Sequence, residues 1–296
     1  MISFKDVSQN VLIILALALA SCSKEKTGGK TLTYIFHDDI SGAIARAAIE
    51  PNGGATVAIH TGDTPTDLAI DAAGNNIYLA EGFDGSISVY NPNNLANSRI
   101  LYSYNQTLNG TVDALAIDET KNRIYWVDNL HAKLNRGSLD GKETPTTLFT
   151  IPNNGSLKCT GVVLNPATNI IYFTDANANK IFSADLNAGG SPTELVSTSN
   201  YTINQPRDLA ISADGKSLYW PDPDNHINVT DISTKTTSVL FSSGMISLFV
   251  NSSTNDIYLS AWNKIFKRSV GSSTISTVLK DKELVYPNGI ISFVVH

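Results

Sequence analysis

The stretch "NRIYWVDN", residues 122 to 129, sets two aromatic residues, Tyr125 and Trp126, just ahead of an acid, Asp128. Such a cluster could serve catalysis or architecture, and its recurrence decides for architecture. Aligned on the aromatic residue, the chain repeats "IYLAE" at Tyr78, "IYWVD" at Tyr125, "IYFTD" at Tyr172, "LYWPD" at Tyr219 and "IYLSA" at Tyr258. Successive tyrosines are 47, 47, 47 and 39 residues apart, and "IFHD", Ile35 to Asp38, takes the same place 43 residues before Tyr78. A period of this length marks a repeat architecture.

A second register agrees with the first. Ten residues before each tyrosine an aliphatic residue opens a strand: Leu68, Leu115, Val162, Leu209 and Leu248. Nine residues after it, Ile87, Leu134 and Ile181 mark a third strand, Ile227 and Ile265 slip by one or two, and Ile44 stands nine after Ile35. Turn-forming residues such as "DAAG" (71 to 74), "NPAT" (165 to 168) and "SADG" (212 to 215) join the first two strands. A fourth strand runs through "TTLFTI" or "TELVST". Four short strands in each of six copies predict an all-β fold, a six-bladed β-propeller of four-stranded antiparallel blades over residues 31–296. Copy one lacks a first strand, and "YPNGIISFVV", Tyr286 to Val295, is a first strand without a second. Pairing of the two closes the ring within one blade and leaves no open edge. Strand alternation sends Tyr125 and Val127 to one face of the blade and Trp126 and Asp128 to the other, where the acid can accept hydrogen bonds from a turn.

These residues resemble the YWTD repeats of the low-density-lipoprotein-receptor type of six-bladed propeller. "IYWVD", "IYFTD" and "LYWPD", with "PRDLAIS" ahead and "LDG" behind, carry the likeness, which covers the chain after residue 30. Glu81 and Ala261 replace the acid in copies two and six. By resemblance such propellers bind other proteins on the face where the loops between second and third strands gather around a channel. That places Phe83, Asp84, Leu130, His131, Asn177, Asn179, Asp224, His226 and Trp262 on the loop face. The channel mouth receives Thr66, Asp113, Thr160, Arg207, Ile246 and Asn288, with Asp67 and Asp208 beside them. Phe83 and Trp262 are the most informative, because large aromatic side chains in short loops are costly to leave in water unless they pack or bind something.

The N-terminus reads as targeting rather than fold. Residues 11–20, "VLIILALALA", have the length of a signal-peptide core and are too short to span a bilayer. "LASC", ending at Cys22, resembles the lipobox of bacterial lipoproteins, which implies lipidation of Cys22; the alternative is a signal cleaved after small residues with an incidental cysteine. Residues 1–21 are thus a lipoprotein signal peptide and residues 22–30 a charged, glycine-containing tether. Cys-Ser-Lys-Glu also resembles the export signal of Bacteroidetes surface lipoproteins. The implied location is the cell envelope, with the outer membrane reached through the lipid anchor only. Cys159 is left without a disulfide partner and reads as a buried filler.

A formal charge of -6, from 21 basic and 27 acidic residues with no basic run, excludes a nucleic-acid partner. "DPDNH", Asp222 to His226, fails as a calcium hand, since Ile227 and Ser233 stand where glycine and glutamate are needed. The five histidines have no paired zinc spacing. Among other propellers, the gluconolactonase-like calcium hydrolases also use "PNG" and acids at the channel mouth, which Pro287 to Gly289, Asn288 and Asp113 would match, although their "GEGP" opening is absent. The expectation is a monomeric, noncatalytic module without a cofactor that binds a protein or glycan on its loop face. The rivals are a lactone or ester hydrolase with a channel Ca2+ and a structural envelope component.

Overall fold

A computed structural model describes residues 65–82, 85–91, 94, 98–104, 110–152, 155–187, 189, 191–242, 244, 247–252, 254–261, 264–269 and 271–280, and, as backbone strands, 32–38, 43–48, 57–61 and 292–295. In chain order the strands are β1 (Leu32–Asp38), β2 (Ala43–Ala48), β3 (Val57–Thr61), β4 (Pro65–Ile70), β5 (Ile77–Glu81), β6 (Ser86–Tyr90), β7 (Arg99–Ser103) and β8 (Ala114–Asp118). There follow β9 (Arg123–Asp128), β10 (Lys133–Ser138), β11 (Thr146–Thr150), β12 (Val162–Asn165), β13 (Ile170–Asp175), β14 (Lys180–Asp185), β15 (Thr193–Val196) and β16 (Ala210–Ile211). The last are β17 (Ser217–Pro221), β18 (His226–Asp231), β19 (Thr236–Ser242), β20 (Ser247–Val250), β21 (Ile257–Ala261), β22 (Lys264–Arg268), β23 (Ser276–Lys280) and β24 (Ser292–Val295).

The strands pair into six four-stranded antiparallel sheets. Five of them, β4 to β7, β8 to β11, β12 to β15, β16 to β19 and β20 to β23, have described side chains and form packed blades, numbered two to six after their sequence copies. The remaining sheet, in the order β24-β1-β2-β3, is known by its strand pairing alone, with Leu32 to Ile35 opposite Ser292 to Val295. The six expected blades are therefore seen as five packed blades and one sheet defined by backbone register. Inner strands β4, β8, β12, β16 and β20 lie side by side in that succession, and β24 lies beside β4.

Alternation along β9 sets the packing between blades. Tyr125 and Val127 join Val162, Leu164, Ile171 and Phe173 of blade four in one core. Ile124 and Trp126 join Tyr78, Ala80, Ile87 and Val89 of blade two in another. Each blade thus contributes to two cores, because successive side chains of a strand point to opposite faces. Trp126 and Trp220 are 2% and 0% exposed, so both bury the full apolar area that makes tryptophan dominant in a core.

One irregularity recurs at the same place in every sheet. The pairing of third and fourth strands shifts register directly after the third-strand aliphatic residue, at Ile44/Ala45, Ile87/Ser88, Leu134/Asn135, Ile181/Phe182, Ile227/Asn228 and Ile265/Phe266. A bulge there bends and over-twists the outer half of the sheet. The turns between first and second strands end on a residue in the left-handed region, Gly74, Asn122, Asn169, Gly215 or Asn255, the residue types that adopt it at least cost.

Turn carboxylates after the third strand carry a pH signature. Asp140 accepts hydrogen bonds from Ser138 Oγ and Lys142 N, and Asp231 accepts from the hydroxyls and amides of Ser233 and Thr234. These bonds hold both carboxyls at about 2, below the ordinary value of 3.8. Groups depressed on folding add stability above their unfolded pKa and lose it as pH falls through the folded value. Burial raises Asp67 and Asp113 instead, so their ionisation opposes folding as pH rises above 3.8. The expected result is a fall in Tm between about pH 4 and pH 2 that is shallower in the double variant Asp140→Asn, Asp231→Asn, read by differential scanning calorimetry; identical slopes would refute the assignment.

Candidate functional site

The acid that ends each second strand fixes the loop that follows it. Asp128 Oδ1 accepts from His131 N at 3.1 Å and from Thr111 N at 3.3 Å, while Oδ2 meets His131 Nδ1 at 2.7 Å. Asp175 Oδ1 accepts from Asn177 N and Ala178 N, both at 3.1 Å. Asp222 Oδ1 accepts from His226 N at 3.0 Å, and Oδ2 meets His226 Nδ1 and Asn228 Nδ2 at 3.3 and 2.9 Å. In copy two Glu81 turns inward and accepts from Ser86, Ser88 and Tyr90 of its own hairpin. Asp128, Asp175 and Asp222 are therefore loop caps, as their place at the end of the strand implied, and Glu81 is not.

A second set of carboxylates stitches one blade to the next. Asp67 directly precedes the aliphatic residue of its first strand; it accepts from Leu68 N at 2.7 Å and from Leu115 N of blade three at 2.8 Å. Asp208 repeats this in blade five, accepting from Leu209 N at 2.8 Å, Leu248 N at 3.0 Å and Ser247 Oγ at 2.5 Å. Burial, reinforced by the charge of Asp208, pushes the Asp67 carboxyl well up despite its two amide donors. In blade four the position is Gly161, where a Cβ would lie 2.6 Å from Leu209 N and 2.7 Å from Arg207 O. The next blade's backbone occupies the space that a side chain would need.

The residues expected at the binding face divide accordingly. Asp67 is 1% exposed and is committed to the frame. Asp113 is half-buried, accepting from Asn129 N at 3.0 Å and from Thr111 Oγ1. Leu130, His131, Arg207 and Asp224 are exposed at the loop end, where Asn204 Nδ2 donates to Asp224 at 2.9 Å, and His226 is half-exposed. Phe83, Asp84, Trp262, Asn288 and Cys22 lie outside the described residues. Among the described residues no group of His, Cys, Asp and Glu could hold a metal ion. Cys159 is fully buried with Sγ facing Gly161 O at 3.5 Å, and burial pushes its thiol far up, so it is an inert filler.

Sequence reasoning missed a cleft between blades two and three. It holds about 460 Å³ and is walled by Tyr102 and Tyr104 from blade two and by Trp126, Lys133, Asn135 and Thr147 from blade three. The Tyr102 ring stacks on Trp126 with centroids 5.5 Å apart. It can lie there because residue 137 is glycine: a Cβ would meet the tyrosine ring at 2.6 Å. Tyr104 Oη accepts from Asn135 Nδ2 at 3.2 Å and from Trp126 Nε1 at 3.4 Å. The register of β9 with β10, which sets Lys133 opposite Asp128 and Asn135 opposite Trp126, was the signal available in the sequence.

Comparison with known proteins bears on the fold. No family model matches the chain. It is 24% identical over 213 residues to Protein cueball of Drosophila yakuba, covering 71% of this chain and 32% of that protein. It is 32% identical over 126 residues to Protein cueball of Drosophila willistoni, covering 41% and 19%. The chain thus spans about a third or less of the length of these curated relatives. Among solved structures it is similar to a chain from the crystal structure of a nidogen/laminin complex, with a TM-score of 0.72, 18% identity, and coverage of 89% of this chain and 98% of that one. TolB from Acinetobacter baumannii gives a TM-score of 0.65 at 14% identity, covering 95% and 71%. A protein of unknown function from Bacteroides thetaiotaomicron gives 0.59 at 14% identity, covering 80% and 68%. At these identities the likeness concerns architecture, and with the sheet topology it shows the fold to be a β-propeller of four-stranded antiparallel blades.

Proposed function

We propose that this chain is a noncatalytic binding module that takes a protein or a glycan on the loop face of a six-bladed propeller, the sheet of β24, β1, β2 and β3 serving as the blade that closes the ring. The observation that carries the reading is the capping of three successive loops by their motif acids. Asp128, Asp175 and Asp222 hold the backbone of the loops that follow them. Exposed side chains at that end, Leu130 at 55% exposure and Arg207 among them, are therefore displayed on a fixed frame. Preorganised display lowers the entropy lost on binding. The nidogen/laminin complex supports the reading, because there a chain of similar fold is assembled with another protein. The expectation that the protein is a lipoprotein, tethered through Cys22 to the cell envelope, belongs to the same proposal: a surface-held propeller presents its loops to extracellular or periplasmic partners.

The test compares the immobilised protein with the double variant Leu130→Asp, Arg207→Glu, using cell-envelope proteins and a glycan array as the two ligand sources. A ligand retained by the wild type is expected to be lost at least tenfold in the variant, with Tm unchanged. Equal retention by both proteins would overturn the loop-face assignment.

A further inference from the structure

The cleft between blades two and three can be compared with its counterpart one blade later, because the repeat supplies an internal reference. Lys133 and Lys180 occupy the same register, each opposite the acid that ends the second strand, Asp128 or Asp175. Two residues along, Asn135 pairs with Thr147 in blade three, as Phe182 pairs with Glu194 in blade four. In blade four the lysine is satisfied internally: Lys180 Nζ forms an ion pair with Glu194 Oε1 and lies over the Phe182 ring. In blade three the carboxylate is replaced by the hydroxyl of Thr147, and Lys133 has no ion pair among the described residues. Lys133 lines the cleft.

From this difference we infer that the cleft binds a carboxylate-bearing sugar, a hexuronic acid unit, whose carboxylate takes with Lys133 the part that Glu194 takes with Lys180. The remaining walls fit the rest of such a ligand. Tyr102 and Tyr104 offer apolar surface to a ring, Ser103 offers a hydroxyl, and the hydroxyl of Thr147, which donates to Asn135 Oδ1 at 2.8 Å, is left to accept. A volume of about 460 Å³ lies within the range of small-ligand sites and is more than one aspartate or glutamate side chain would fill. That excess favours a sugar over an acidic peptide. Asp128, the carboxylate on the wall, has its oxygens turned to His131 and Thr111, from whose amides they accept. The inference does not rest on the loop-face reading, since Leu130 and Arg207 take no part in it.

The experiment is calorimetric titration of the full-length chain with methyl glucuronide and digalacturonate, against methyl glucoside and N-acetylglutamate amide. The uronates are expected to saturate, with the neutral glucoside at least tenfold weaker. Lys133→Met is expected to bring uronate affinity down to that of the glucoside. Thr147→Glu, which installs the internal partner present in blade four, is expected to abolish uronate binding, and because residue 147 is exposed it leaves the fold intact. Equal affinity for the uronates and the glucoside, no binding of either, or full uronate affinity in Thr147→Glu would overturn the proposal. N-acetylglutamate amide binding as tightly as the uronates would overturn it in favour of an acidic peptide. The double variant Leu130→Asp, Arg207→Glu should leave uronate binding unchanged, which separates failure of this site from failure of the loop face.

Discussion

Trp220→Ala is expected to destabilise the protein by about 3–5 kcal/mol, the range for removing a large aromatic side chain from a packed core. For a chain of this size that is a fall in Tm of roughly 10 °C. Trp220 is fully buried; Tyr201 meets its ring edge-on at 5.9 Å, and Leu195, Val196, Ile203 and Leu209 share its core. Its Nε1–H donates to Thr230 Oγ1 at 3.1 Å, so alanine also loses that hydrogen bond, while Thr230 keeps its contact with Thr237 Oγ1 at 2.9 Å. Trp220→Phe keeps most of the packing and loses that bond, which sets its expected cost near 1 kcal/mol. The equivalent Trp126→Ala should cost less than Trp220→Ala, because Trp126 already borders an open cleft and water can fill the space it leaves. Thermal unfolding of the three variants checks the order, and equal losses for Trp126→Ala and Trp220→Ala would show that the cleft is closed.

Gly161→Ala is the second large expectation, at about 3 kcal/mol, the upper end of what overpacking ordinarily costs. The added methyl would lie within 2.7 Å of three backbone atoms, Leu209 N, Arg207 O and Asp208 C. None of these can turn aside as a flexible side chain could, so blades four and five must separate. Gly110→Ala provides the contrast: its methyl would meet the Tyr104 ring, which can swing toward the cleft, and the expected loss is smaller. A Gly161→Ala protein as stable as the wild type would mean that the inner strands slide freely past one another.

Much of this frame could be read from the sequence because repetition supplied many independent looks at one unit. The aromatic-acid tetrad, the aliphatic residue ten positions earlier and the alternation along residues 124–128 fixed the strands and the two cores that each blade shares. The bulge after Ile87, Leu134 and Ile181 was not legible, since it is a property of the pairing between third and fourth strands and no residue type announces it. Asp67 misled for a similar reason: at the channel mouth an acid looks available, yet its acceptor role depends on Leu115 N, 48 residues away in the chain. The cleft escaped notice because it arises from a difference between copies, Thr147 against Glu194, while the search for a period attends to what copies share.

The stitching carboxylates also give the ring a direction. Asp67 reaches forward to Leu115, Asp208 reaches forward to Leu248, and Gly161 receives the backbone of residues 207–209. In each case the earlier blade offers the half-site and the later one fills it. Synthesis proceeds from the N-terminus, so blades three, five and six meet a template already in place as they leave the ribosome. Vectorial assembly is the expected consequence: in a circular permutant that begins at blade five, Asp208 would still meet Leu248 of blade six next, whereas blade four, whose Gly161 is the natural template for blade five, would be made last.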